Sequence, residues 1–385
     1  MTQVVIAGIG QTPVGEKWDT SLRELAFYAI EAAQEDAGGL RPQALYVGNM
    51  LAPQLSGQAH IGALVADFAG MNGIEAVTLE AAGASGGAAL RSGYMAVASG
   101  LVDVALVVGV EKFTDQVGSI VEDALATASD SDYEAVQGLT QTAQAALLMR
   151  RYIFEFDVPR TAFAAFPLTA HANAVGNPNA MFRKAIRPEV YERAGMVSDP
   201  LNMFDIAPNA DGAAAVILTR PELLPPGFPH PLVQITGSCL VTDTLALHDR
   251  PDPLVFHAAR LSVERACQQA RITPLQIDDF ELYDAYSIYG VLSLEAAGFA
   301  DRGEGWRLAQ DNCIGKEGTL PVSSMGGLKA RGNPGGATGV YQAVESTLQL
   351  RGQAQDNQIP NTRRAMIQCL GGPASTAATH ILEVP

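Results

Sequence analysis

Four short segments of this chain carry side chains that could do chemistry. Tyr283-Asp284-Ala285-Tyr286 sets a phenol at the end of an apolar run. Gly332-Asn333-Pro334-Gly335-Gly336-Ala337-Thr338-Gly339 offers an amide inside a glycine-rich loop that leads into a helix. Cys369-Leu370-Gly371 puts a thiol at the end of a strand, and Ala82-Gly83-Ala84-Ser85-Gly86-Gly87 is a tight turn of small residues. A phenol donates to an oxyanion and, if its pKa is lowered, also serves as acid or base. Asparagine cannot exchange a proton near neutral pH, but its amide donates hydrogen bonds. Cys369 reads equally as a proton carrier or as a small buried hydrophobe. Tyr286 and Tyr289 also suit a core, and Tyr341 is a second phenol beside the glycine loop. Gly83 has no side chain, so that position of the turn offers no nucleophile.

These groups need elements to position them. Strand-like runs alternate with helical patterns, which predicts an α/β layered fold. Val4-Val-Ile-Ala-Gly8, 44–51, 76–81 and Val104–Val110 read as strands. The segment 75–91 reads as a buried strand, the tight turn and a helix. Ser21 or Thr20 caps a helix that Gly38-Gly39 stops. The helix after the Gly83 turn is rich in glycine and alanine, which predicts a central position with close neighbours. The order of elements recurs in the second half: strands near 232–238, 280–284, 365–372 and 377–382, with helices from Ser287 and Val340. An internal duplication follows. The predicted division is an N-terminal half, 1–225, holding an inserted loop domain at about 115–205, and a C-terminal half, 226–385. Helices are predicted at 139–153 and 159–174 inside that insertion.

Composition excludes several function classes. The 41 acidic against 25 basic residues give a net charge of −16 over 385 residues. That argues against nucleic acid or an anionic membrane as partner. Apolar runs are strand-sized and too short to span a bilayer. Cys239, Cys267, Cys313 and Cys369 are scattered, so no zinc site is predicted and a cytoplasmic location is the simplest reading. The histidines show no metal spacing, and His171 reads as structural. Gly8-Ile-Gly10 lacks the rest of a dinucleotide fingerprint.

The segment 75–91 closely resembles the strand–elbow–helix of the thiolase superfamily, in its sterol-carrier-type and archaeal acetoacetyl-CoA branch. There the turn carries a nucleophilic cysteine in an A-C-A-S-G-G context. Ala82, Ala84, Ser85, Gly86 and Gly87 keep that context, with Gly83 in the cysteine's place. The loop 332–339 resembles the family's G-H-P-x-G-A-T-G, with Asn333 where an imidazole sits. Tyr283–Tyr286 resembles its N-E-H-F or H-D-A-F element, and Cys369–Gly371 its C-x-G, whose cysteine works as acid/base. The likeness spans essentially the whole chain. It implies a duplicated α-β-α-β-α five-layered sandwich, a coenzyme A thioester as substrate, no bound cofactor, and a homodimer paired through the first half. A small zinc-ribbon/OB-fold companion is implied as well.

By the same likeness, Ser323 and Ser324 contact the pantetheine arm and Gly371 belongs to the acyl site. Arg183 and Lys184, with Arg150, Arg151 and Arg187, are the basic set nearest the coenzyme. The site that results is Gly83, Tyr283, Asn333 and Cys369. Tyr283 and Cys369 would move protons, and Asn333 would donate to an enolate oxygen. The function that fits best is an aldolase or retro-aldolase on a β-hydroxyacyl-CoA, because similar retro-aldolases also lack the cysteine. Two alternatives stand: a non-catalytic acyl-CoA or lipid-binding scaffold subunit, and acetyl-CoA acetyltransfer should Gly83 replace a native cysteine.

Overall fold

Apolar runs form the strands and small-residue stripes form the helices packed between them. The computed structural model describes residues 2–385. In its first half β1 (Val5–Gln11), α1 (Leu22–Asp36), β2 (Ala44–Gly48), α2 (Ala52–Leu55), α3 (Ile61–Phe68), β3 (Glu75–Leu79), α4 (Ser85–Ser99) and β4 (Val104–Glu111) follow in order. An insertion of α5 (Ser119–Ala126), α6 (Gln141–Phe156), α7 (Ala165–Ala174), α8 (Pro188–Glu192), β5 (Met196–Ser198) and β6 (Leu201–Asn202) precedes β7 (Gly212–Thr219). The second half contains β8 (Val233–Thr242), α9 (His257–Ala270), β9 (Asp279–Glu281), α10 (Ser287–Ala296), α11 (Gly305–Gln310), α12 (Thr338–Arg351), β10 (Arg364–Gly371) and β11 (Thr376–Glu383).

The large sheet has the order β3-β2-β4-β7-β1-β8-β11-β10-β9. Its halves join where Val5 and Ile6 pair with Gln234 and Val233. Outwards from that seam, β1-β7-β4-β2 is antiparallel, antiparallel, then parallel. β8-β11-β10-β9 repeats the same pattern. The predicted duplication is therefore visible as topology, with β3 alone lacking a counterpart. α4 packs against β2 and β4 on one side and β8, β10 and β11 on the other, while α12 touches β1, β4, β7 and β10. α1 and α3 cover the first half from outside and α9 covers the second. The result is the expected five-layered sandwich.

Glycine makes the central layer thin. A Cβ on Gly86 would stand 2.9 Å from Gly336 O and 3.0 Å from Gly339 N. The first turns of α4 and α12 thus meet backbone to backbone, and only glycine permits that approach. α12 is buried on nearly every face, as a helix enclosed on all sides must be.

Ser21 caps α1 through a reciprocal bond pattern with Glu24, and Gly38 and Gly39 leave it in the left-handed region. Two differences from the sequence reading matter. Glu75–Leu79 is not a buried strand: it is the outer strand of the first half, bonded only to β2, with Val77 41% exposed. As an edge strand it has a neighbour on one side only, which leaves its residues exposed or half-buried. The helix α5 was not anticipated: it spans only eight residues between Gly118 and the polar run 127–132, too short for its pattern to stand out. No helix among the described residues is long and apolar enough to cross a membrane.

Candidate active site

The elbow after β3 is held by its own side chains. Ala81 N donates to Ser85 Oγ (2.9 Å), Ser85 Oγ donates to Ala82 O (2.6 Å), and Ala82 N donates to Glu80 Oε1 (2.6 Å). Ser85 is thus occupied as a turn residue. At Gly83 a Cβ would collide with Tyr283 Oη, with Tyr283 Cζ at 2.7 Å and Leu370 O at 2.6 Å. The phenol end of Tyr283 fills the space that a side chain on the turn would need. Absence at one position and bulk at the other are sterically matched.

Tyr283 and Asn333 line one small cavity of about 30 Å³, together with Tyr286, Asn209, Gln141, Thr142, Glu122 and Met50. That volume holds about two water molecules. Asn333 Oδ1 accepts from Gly335 N at 3.2 Å, and among the described residues its Nδ2 has no partner. The backbone of Asn333 is fixed on both sides, its N–H to Pro208 O (2.9 Å) and its carbonyl to Ala210 N (3.0 Å). Tyr283 Oη likewise makes no hydrogen bond among the described residues. Two donors with free capacity therefore face the same cavity.

Glu111, at the end of β4, braces this arrangement from below. Its carboxylate accepts from Met50 N (2.9 Å), Leu51 N (3.1 Å), Gly336 N (3.0 Å) and Asn49 Nδ2 (2.9 Å). It ties the glycine loop of α12 to the loop after β2. Burial lifts its pKa to about 7, against those four hydrogen bonds, which pull the other way. Gly335 sits above it at φ +46, where a Cβ would stand 3.0 Å from Glu111 Cγ. Sequence reasoning missed Glu111, although a carboxylate at the carboxyl end of a buried strand is where α/β folds place sites.

Electrostatics decide which groups are donors. Burial raises the pKa of Tyr283 well above the usual phenol range, and Tyr286, Cys369, Asp284 and Glu111 add to it. Tyr286 is raised by burial as well, while its bond with Thr142 (3.1 Å) opposes the shift. Both phenols stay protonated, so they donate. The lowered phenol pKa that base chemistry would require is not what the surroundings produce.

Cys369 lies elsewhere. Its Sγ sits between α4 and α12, where a Cβ on Gly339 would come within 2.9 Å of it. It faces Ala84 O (3.8 Å) and Ala378 O (4.0 Å), and burial pushes its thiol up to about 12. It does not line the cavity of Tyr283 and Asn333. The thiol meets the elbow at Ala84 O, whereas at Gly83 it is the adjacent Leu370 carbonyl that stands close.

An apolar groove of about 700 Å³ opens on the loop domain, lined by Phe182, Lys184, Ile186, Arg187, Phe204 and Lys329, with His171 stacked on Phe182. Ile206 and Ala207 line both this groove and the small cavity, so the two adjoin. Lys184 and Arg187 stand exposed on its wall. Arg183 is exposed but outside the lining, and Arg150 and Arg151 are paired on α6 with Asp199 and Glu155. Ser323 and Ser324 are buried in a polar network: Ser324 N donates to Glu281 Oε1 (2.9 Å) and Asn173 Nδ2 donates to Ser323 O (3.2 Å). Neither lines the groove. Gly371 borders a third chamber of about 410 Å³ on the other side of the elbow, with Glu80, Ala82, Ser129 and Ser375.

Comparison with known proteins identifies the family. A family model described as the thiolase N-terminal domain matches residues 4–222, and one described as thiolase C-terminal domain-like matches 240–384. The chain is 43% identical over 385 residues to an acetyl-CoA acetyltransferase of Methanothermobacter thermautotrophicus, covering 100% of both. It is 30% identical over 379 residues to the benzoylsuccinyl-CoA thiolase subunit BbsB of Thauera aromatica, covering 96% of this chain and 95% of that one. Its fold is similar to that of a chain of the Ltp2-ChsH2(DUF35) aldolase, with TM-score 0.84 and 24% identity over 100% of this chain and 98% of the other. Human mitochondrial 3-ketoacyl-CoA thiolase superposes with TM-score 0.75 at 16% identity, over 100% and 99% of the two chains. With both halves matched and the fold shared, the chain belongs to the thiolase family, whose members act on coenzyme A thioesters.

Proposed function

We propose that this protein is an aldolase that cleaves β-hydroxyacyl-CoA esters to a shorter acyl-CoA and an aldehyde or ketone, with no acyl-enzyme. The observation that carries this reading is the Tyr283 phenol standing where a Gly83 side chain would be, in one cavity with the Asn333 amide. Carbon–carbon cleavage of this kind needs a stabilised enolate oxygen and a proton acceptor, and no covalent carrier. Tyr283 Oη and Asn333 Nδ2 supply the two donors. Pre-aimed donors in a site from which substrate displaces the water are worth far more than in bulk water. Cys369, dry and outside the cavity, acts in packing.

The groove receives the pantetheine arm along its apolar wall, with Lys184 and Arg187 toward the phosphates. The thioester passes Ile206 and Ala207 to reach Tyr283. A homodimer formed along the free edge of β3 fits the exposed Val77 there. A small zinc-ribbon/OB-fold companion is part of this reading; the Ltp2-ChsH2(DUF35) aldolase, similar in fold, is named for two components. The four unpaired cysteines suit a reducing cytoplasm.

Relatives named acetyl-CoA acetyltransferase favour a second reading, acyl transfer through the same site. A panel of β-hydroxyacyl-CoA esters separates the two. The expected result is equimolar acyl-CoA and carbonyl product. Rapid thiolysis of acetoacetyl-CoA would instead support acyl transfer, and binding without turnover would support a scaffold.

A further inference from the structure

Cleavage of a β-hydroxyacyl-CoA requires a group that takes the hydroxyl proton, and the donors described above cannot do so. The cavity walls narrow the choice. Asn209, Asn333 and Gln141 are amides, Thr142 is an alcohol, and Tyr283 and Tyr286 are phenols held protonated. Glu111 lies beneath the floor with both oxygens bonded to amides. Glu122, on the first turn of α5, is the remaining acid on the cavity wall. It is half-buried and makes no hydrogen bond or ion pair among the described residues.

We propose that Glu122 is the general base of this site, an assignment that rests on the aldolase reading. Its carboxylate removes the proton from the β-hydroxyl, and the O–H electron pair becomes the new C=O. The Cα–Cβ pair moves onto the thioester as an enolate, whose oxygen accepts from Asn333 Nδ2 and Tyr283 Oη. Glu122 then returns the proton to Cα, so atoms balance and the carboxylate is regenerated. The titratable groups facing it are Asp123 on its own helix and Tyr283 and Tyr286 across the cavity. α2 carries none, and α6 presents Gln141 and Thr142. Burial first, then Asp123, raises the carboxyl pKa, which brings it toward working pH.

The test compares Glu122→Gln and Glu122→Ala with the parent, using a cleaved β-hydroxyacyl-CoA and its analogue without the β-hydroxyl, a plain saturated acyl-CoA ester. A general base contributes about 100-fold or more. We expect Glu122→Gln to lose at least about 100-fold in kcat/KM together with the acidic limb of the pH profile, while binding of the saturated ester is unchanged. We expect added formate to restore part of the rate in Glu122→Ala. A variant that cleaves at the parental rate with the parental pH profile would overturn the assignment and leave the aldolase reading intact. A parent that binds both esters and cleaves neither would overturn both.

Discussion

Replacing Gly83 by cysteine puts a thiol where thiolases carry one, and the surroundings indicate that it should not restore acyl transfer. The new Cβ would stand 2.6 Å from Leu370 O and would overlap Tyr283 Oη. Leu370 belongs to β10, whose ladder with β11 pairs it with Ala377, so its carbonyl has little freedom. Tyr283, buried at 7% exposure within the largest core cluster, must give way instead. Overpacking of this kind costs about 1–3 kcal/mol. Tyr283→Phe removes the hydroxyl, which has no partner, so that change alone should cost little. In Gly83→Cys/Tyr283→Phe the clash with the hydroxyl is relieved while those with Leu370 O and ring carbon Cζ remain, which leads us to expect a favourable coupling of about 1 kcal/mol. The assay is a denaturation series on the four proteins, read as midpoints at constant slope. Thiolysis of acetoacetyl-CoA is followed in parallel. A Gly83→Cys protein as stable as its parent, with zero coupling and new thiolase activity, would refute the steric match.

Tyr283→Phe should lower cleavage by about 100-fold, as expected for one missing donor to an oxyanion, while acyl-CoA binding persists; equilibrium binding and single-turnover rates separate the two. Lys184→Ala and Arg187→Ala should each weaken coenzyme A binding by up to about tenfold, with the loss shrinking at high salt, in titrations at two ionic strengths. Stability should fall as pH rises from about 5 to 8, because Asp279, Glu281, Glu345 and Glu111 are buried acids whose pKa values burial raises. Their contribution is full below the unfolded value of about 4 and is lost as pH climbs through the folded ones. His380 acts at the other end: burial pushes it down to about 3, so stability is also lost as pH falls from about 6.5 toward 3. Four acids outweigh one imidazole above about pH 4, so denaturation midpoints across pH 4–9 should be highest at the acid end and fall toward pH 8, and a midpoint that rises between pH 5 and 8 would contradict this.

Legibility in the sequence followed the physics of each element. Val104–Glu111 and Thr338–Arg351 were readable because continuous apolar or small-residue patterns mark buried strands and enclosed helices. The repeat of strand order was readable from element sequence alone, whereas the seam at Val5–Gln234 was not, since pairing between distant strands leaves no local mark. Gly83 and Asn333 stood out against a known motif, yet the filling of the Gly83 space by Tyr283 needs coordinates. Glu111 and Glu122 escaped notice because single carboxylates in an acidic chain carry no spacing signal. Cys369 kept its motif, but only the packing of Gly87 and Gly339 against it reveals how dry its position is.

The sharpest test is rapid mixing with a β-hydroxyacyl-CoA followed by acid quench, with the polypeptide weighed intact by mass spectrometry and the carbonyl product counted in the same sample. Carbonyl release at an unmodified protein mass is the result expected here. An acyl increment on the polypeptide that appears and decays with turnover would contradict it.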